Sequence, residues 1–495
     1  MKFGLLDWII VILYLAASVG FGVWARRYVE DMTGYLVAGR RVRVSLGVAT
    51  LVATELGTVT FVYFAELGYV SGFACFFLGI AAFLGFLIVG KTGFIIEGLR
   101  RHGVMTIPEF YEMRYARSVR LIGGILLFLG GVLNMGIFLK FDGIFLTEVM
   151  GFGPDALAII MTVMLVVVIL YTILGGMVSI VVTDFMQFVV LSGGMLLATI
   201  AVLWNVGLVD MTAAVERTFG DAGFDPIVNP RYGWAFIVWI LLNTMAAAAL
   251  WQPGTSKALS SESPAVAKKV FLYAGLTYAG RAMIPMFWGV AALAYFGPGL
   301  DSASAMPRLL AHVVPSGLLG VLVAGMLAAS MSTYSAYMLA WSSVFVRDVL
   351  ACTRSVDFSE QATIRITRIT TGVIGIFLLA FGLFYTIPDT AFQYLAVTGA
   401  IYTAGALGTV VAGLYWRRAN SVGAYAALIM GAIGPIGFLI LEKFRDDLPG
   451  YIRFLGDVNV AGLLSFVLAV LGMVVGSLAT ARACPPKHLS SEGTV

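Results

Sequence analysis

The chain has 495 residues, of which 60% are hydrophobic and 12% charged, with a formal net charge of +4. Soluble domains carry about 25% charged residues, so this composition, with a mean hydropathy of +0.95, excludes a soluble enzyme or nucleic-acid-binding protein and points to an all-α integral membrane protein. Three Cys and three His, far apart and without ligand spacing, exclude a disulfide framework and a zinc or haem site.

The first apolar run, from Leu5, is followed by Arg26-Arg27 and preceded only by Lys2. A secretory signal puts its basic residues before the apolar region, so the run reads as a retained helix. A span needs about 20 mostly apolar residues. Such runs occur at 5–25, 46–66, 72–98, 119–148, 155–175, 178–206, 232–252, 269–297, 316–346, 367–387, 391–415, 422–441 and 457–481, which predicts thirteen spans. The fifth and sixth meet at Gly175-Gly176 with almost no loop. With the N-terminus outside and the C-terminus cytoplasmic, inward segments hold about three times as many of the 31 Lys and Arg as outward ones, as the positive-inside rule requires. That count takes Lys257, Lys268 and Lys269 as one inward segment and places Lys443, Arg445 and Arg453 outside. Residues 484–495 read as a disordered tail.

Several stretches, in order, resemble the sodium:solute symporter family: GYLVAGRRV (34–42), TIPEFYEMRY (106–115), GGMVSIVVTDFMQF (175–188), SKALSSESPAVAKKV (256–270) and GTVVAGLYWRRANSVGA (408–424). The resemblance implies a leucine-transporter-like (LeuT-like) five-plus-five inverted repeat. The repeats would span 46–206 and 232–415, with 5–25 as an extra first helix and 422–481 as two peripheral helices. It implies a sodium-coupled symporter, not an enzyme, that imports a small organic solute across a bacterial inner membrane. Such folds bind ion and solute where helices are broken near the bilayer midplane. The candidate breaks are VATELGTVTF (52–61) and NTMAAAALWQPG (243–254). A membrane sensor working through a separate partner is the alternative, since the tail is too short for an output domain.

Ala329, Ser332 and Thr333 are spaced i, i+3, i+4 and share one helical face. Their oxygens suit a hard cation, whereas Ser and Thr in spans otherwise serve as interhelical glue. The resemblance implies that Na+ is held here by the carbonyls of Ala53, Leu56 and Ala329 and the hydroxyls of Ser332 and Thr333. It also implies a candidate second cation site on Asp184 and Ser335, made incomplete by Ala336 and so favouring one sodium per cycle. Ser330 lies off this face and reads as packing.

Intramembrane ionisable residues are functional candidates by default. Glu55 lies inside the first candidate break, either tuning the cation site, meeting a substrate amine or pairing with helix amides. Lys140 either receives a substrate carboxylate or snorkels to an interface. Arg281 requires a buried partner that the sequence does not name, and Glu66 is placed at the outer mouth. Thr58, Thr60, Asn243, Thr244, Trp251, Gln252, Phe392 and Tyr394 are further candidates to line the pocket or gate. Four alanines at 246–249, where sugar-type members of the family carry an aromatic gate, favour an amino acid or carboxylate over a sugar.

Overall fold

The computed structural model describes residues 3–25, 32–353, 358–386, 391–441, 444, 449, 457–487 and 489. Arg26, Arg27, Lys443, Arg445, Arg453, Lys2 and most of the predicted tail lie outside them. Among the described residues, twenty α-helices follow in chain order. The first half holds α1 (Leu5–Ala25), α2 (Met32–Val37), α3 (Val44–Thr54), α4 (Thr58–Ser71), α5 (Phe77–Thr92), α6 (Ile96–Arg101), α7 (Ile107–Arg114), α8 (Arg117–Met135), α9 (Phe138–Met150) and α10 (Leu157–Asn205). The second holds α11 (Leu208–Phe219), α12 (Gly233–Leu250), α13 (Gln252–Leu259), α14 (Pro264–Phe296), α15 (Ser302–Val313), α16 (Leu318–Val344), α17 (Glu360–Phe384), α18 (Ala391–Tyr415), α19 (Ser421–Leu441) and α20 (Val458–Ala479). Among the described residues, ten helical stretches are long and apolar enough to cross a membrane. Bilayer hydrocarbon cannot satisfy backbone polar groups, so all-helical structure is the physical answer to this composition.

One expectation is corrected here. The chain does not leave the helix at Gly175-Gly176: α10 runs through both glycines for 49 residues. At 1.5 Å per residue it is about 74 Å long, more than twice a hydrocarbon core of about 30 Å. Without a Pro or polar cluster to release the backbone, the glycines alone do not end it.

Helix α16 is the axis of the molecule. All its residues except Leu318 and Val321 are buried, which is the signature of a helix surrounded on every side. It packs along α10, α1, α17, α3 and α8. Its last turns widen into a π-helix over Phe345–Leu350. Helices α4 and α14 approach through Gly68 and Gly289, where a Cβ would collide with the Met286 and Ala65 carbonyls, so only glycine allows the crossing.

Both predicted breaks are present. Helix α3 ends at Thr54 and α4 begins at Thr58, with Gly57 extended (φ −76°, ψ 161°). Helix α12 ends at Leu250, Trp251 is extended (φ −80°, ψ 112°), and α13 starts at Gln252 with Pro253 in its first turn. Val42, before α3, and Ser261, after α13, pair as a short parallel bridge, with Val42 N donating to Ser260 O (3.1 Å) and Glu262 N to Val42 O (3.1 Å). The two broken helices are thus tied together at one end.

Candidate ion and solute sites

The break at Glu55–Gly57 sits against α16. Thr333 Oγ1 donates to the carbonyl of Thr54 at 3.0 Å, one residue beyond the carbonyl of Ala53, which was expected to be a ligand. The fit is close: a Cβ on Gly57 would lie 2.9 Å from Thr333 Oγ1. Ala53, Ala329 and Ser332 are fully buried, and Leu56 and Thr333 nearly so. Leu56 N donates back to Ala53 O at 3.2 Å, closing a tight turn at the end of α3. The surroundings are therefore carbonyl and hydroxyl oxygens in a site closed to solvent, a donor set that fits a hard monovalent cation.

Asp184 on α10 lies beside this face. Ser332 Oγ donates to its Oδ1 at 2.5 Å, and Thr50 on α3 donates to its Oδ2. Lys257 Nζ stands 3.4 Å from the same Oδ2, and neither side chain of the pair has any solvent exposure. Counting Lys257 among the inward loop charges is therefore a misreading: it lies in α13, inside the protein. Ser335 does not join this group, because its hydroxyl donates to the Ser332 carbonyl of its own helix at 2.9 Å.

Ser330, expected to be packing alone, belongs to a second buried cluster. Its hydroxyl donates to Asp142 Oδ1 (2.8 Å) and meets Thr58 Oγ1 (2.7 Å), which donates to Met326 O (2.9 Å). Thr58 thus faces α16 rather than a pocket.

On the far side of the break lies a cavity of about 210 Å³. Glu55, Thr60, Asn243, Thr244, Trp251 and Phe392 line it as expected, together with Tyr63, Asn134, Tyr278, Arg281, Tyr337 and Thr403, which sequence reasoning did not place there. Arg281 is the most informative of these. Its Nη1 donates to the Glu55 carbonyl at 2.9 Å, its guanidinium carbon lies 3.7 Å from the Tyr278 ring centroid, and its buried Nε has no hydrogen-bond partner among the described residues. Gly254, at the start of α13, approaches so closely that a Cβ there would sit 3.0 Å from Glu55 Oε1. Trp251 Nε1 donates to Tyr337 Oη at 3.0 Å, fixing the indole as one wall.

The remaining pocket candidates do not line this cavity. Lys140 Nζ donates to Tyr385 O (2.9 Å), just past the C-terminal end of α17, where a cation complements the helix dipole. Gln252 holds the segment before α7, accepting from Ile107 N (3.0 Å) and donating to Met105 O (3.3 Å). Tyr394 Oη donates to Leu133 O (2.7 Å), next to the α8–α9 kink. Glu66 is buried and accepts from Ser302 Oγ (2.8 Å) and Ala391 N (3.3 Å), clasping α15 to the start of α18.

A helical membrane protein with two interrupted helices, an oxygen-rich buried niche at one break and a cavity beside it is built as a coupled transporter. A model of the sodium:solute symporter family matches residues 35–223 and 275–431, and the chain belongs to that family. It is 24% identical to a sodium/glucose cotransporter of Vibrio parahaemolyticus, over 89% of this chain and 85% of that one. It is 23% identical to the sodium/sialic acid symporter SiaT of Proteus mirabilis, over 99% and 97%. Its fold matches a solved structure of a Na+-coupled sialic acid symporter in a substrate-bound outward-open state, with a TM-score of 0.80 at 20% identity, covering 98% of this chain and 99% of that one. The chain is an integral membrane protein of a sodium-coupled transporter family.

Proposed function

We propose that the chain imports a compact, carboxylate-bearing solute together with one sodium ion by alternating access. The observation that carries this reading is a pair of consecutive carbonyls. Thr54 O accepts from Thr333 on the ion side, and Glu55 O accepts from Arg281 on the cavity side. A sodium ion held by Ala53, Leu56, Ala329, Ser332 and Thr333 would set the same three-residue break that presents Arg281 to the solute. Coupling requires both ligands to favour the same state, and a shared backbone segment provides that link.

Arg281 is the reason for the carboxylate. A guanidinium that lines the cavity, stacked on an aromatic ring and anchored through Nη1, suits capture of a carboxylate. Sialic acids carry such a group, so the likeness to sialic acid symporters agrees with this choice, whereas the relatives' names lend nothing to an amino acid. The cavity is smaller than the roughly 300–1,000 Å³ of drug-sized sites, which favours a simple carboxylic or sugar acid. Glu55 and Asn243 would sort the solute's hydroxyl or amine groups.

The fold would be the LeuT-like five-plus-five inverted repeat, with α3–α10 and α12–α18 as its halves. It would span a bacterial inner membrane, N-terminus outside. At about 100 mV one charge supplies about 2.3 kcal/mol, and a tenfold sodium gradient adds about 1.4 kcal/mol. For a carboxylate anion carried with one sodium ion the two charges cancel, so the potential does no net work and the tenfold sodium gradient alone sustains about tenfold accumulation.

A sodium-dependent thermal-shift screen of small carboxylates, sugar acids, neutral sugars and amino acids tests the reading. Stabilisation by carboxylates only when sodium is present supports it. A neutral sugar as the best ligand, unaffected by Arg281→Met, would refute the carboxylate assignment.

A further inference from the structure

Three helices meet around Asp184 of α10. Thr50 of α3 and Ser332 of α16 donate hydroxyl hydrogen bonds to its two oxygens, and Lys257 of α13 brings an ammonium to Oδ2 at 3.4 Å. That ammonium also meets Met177 Sδ, on α10, at 3.6 Å. A carboxylate with no solvent exposure demands a positive partner, and the residues here do not fit a second sodium ion in that role. Ser335 turns its hydroxyl to its own helix, and Ala336 offers no side-chain oxygen. The positive charge is supplied by the protein itself.

We infer that Lys257 is a built-in cation occupying the place of a second sodium ion, so that this chain couples to one sodium rather than two. The inference rests on the sodium site proposed above and deepens it. Lys257 belongs to α13, the short half of the broken helix that carries Gly254 against Glu55. The ammonium therefore does what a second ion would do: it ties the broken helix to α10 and, through Ser332, to the ion-binding face of α16. Unlike an ion it neither enters nor leaves, so its charge does no work in the transport cycle. Removing it should turn the niche back into a cation site, since the carboxylate and two hydroxyls would remain.

The test is equilibrium binding of radioactive sodium to the purified full-length protein, with choline replacing sodium in the controls. Wild type should bind one sodium ion per protein. Lys257→Ala should bind two, with the Hill coefficient of sodium-dependent thermal stabilisation rising from about one toward two, the number of sites. Lys257→Met combined with Asp184→Asn removes both charges and should bind one. This double variant decides the matter if Lys257→Ala does not fold. Two ions on wild type, one ion on a folded Lys257→Ala, or none on the double variant would each overturn the role given to Lys257. Absence of sodium binding to wild type would instead count against the sodium site itself.

Discussion

The hydroxyl of Thr333 donates to the carbonyl of Thr54, at 3.0 Å, where α3 gives way to the break. This bond joins α16, the most buried of the candidate membrane spans among the described residues, to one of the two interrupted helices. Replacing Thr333 by the near-isosteric Val removes the hydroxyl and keeps the shape. A neutral hydrogen bond contributes about 0.5–1.5 kcal/mol net and a charge-linked one about 1.5–3 kcal/mol. The sodium concentration for half-maximal thermal stabilisation should therefore rise by about tenfold or more, at about 1.4 kcal/mol per decade. An unchanged midpoint would remove Thr333 from the ion site.

Gly57→Ala tests the closeness of the same contact. The added Cβ would lie 2.9 Å from Thr333 Oγ1 and 3.3 Å from its Cβ. Overpacking of this kind costs about 1–3 kcal/mol. The expected result is a lowered melting temperature together with a weakened sodium response, whereas Gly280→Ala, with open space around it, should leave both unchanged.

Arg281→Lys keeps the charge and loses the planar fork. Lysine cannot reproduce a guanidinium's contact with a carboxylate, and a charge-assisted bond is worth about 1.5–3 kcal/mol. The KM for a carboxylate solute should rise about 10–100-fold, with sodium binding in the absence of solute nearly unaltered. Uptake kinetics and sodium-induced thermal shift, measured side by side, separate these two effects.

Asp348 sits in the π-helix that ends α16 and accepts from Arg120 Nε (2.7 Å) and Thr106 Oγ1 (3.0 Å). It is fully buried, and its Arg120 partner also pairs with Glu112 at 2.7 Å. Breaking a buried pair costs about 3–5 kcal/mol. The second carboxylate limits the loss, so Asp348→Asn should cost about half that. The check is a drop of a few degrees in detergent melting temperature that Glu112→Gln deepens when combined with it.

Much of this architecture was legible in the chain because its physics is local. Apolar runs marked the helices, Gly57 and the Pro253-Gly254 pair marked the breaks, and i, i+3, i+4 spacing put Ala329, Ser332 and Thr333 on one face. What was misread depends on distant partners. Lys257 pairs with a residue 73 positions away, so beside Pro253-Gly254 it passes for a loop charge. Ser330 looks like packing until Asp142 is found 188 residues upstream in the chain. Arg281 announced only that it needed a partner. That partner is a backbone carbonyl, freed by the break at Glu55, and no side-chain pattern reveals it. Lys140 and Gln252 are polar for reasons of helix ends and loop support, which resemble site chemistry when only residue type is visible. At Gly175-Gly176 the weak helix-breaking tendency of glycine, about 1 kcal/mol against alanine, was overridden in an otherwise strongly apolar helix.

The most direct test of the central claim is sodium-gradient-driven uptake by proteoliposomes carrying Ser332→Ala with Thr333→Ala, alongside wild type at matched reconstituted amounts. The account predicts that the double variant inserts and folds but requires sodium concentrations at least about 100-fold higher, the loss of two hydroxyl ligands at about 1.4 kcal/mol each. Uptake that keeps the wild-type sodium dependence would show that the ion does not bind between the α3–α4 break and α16.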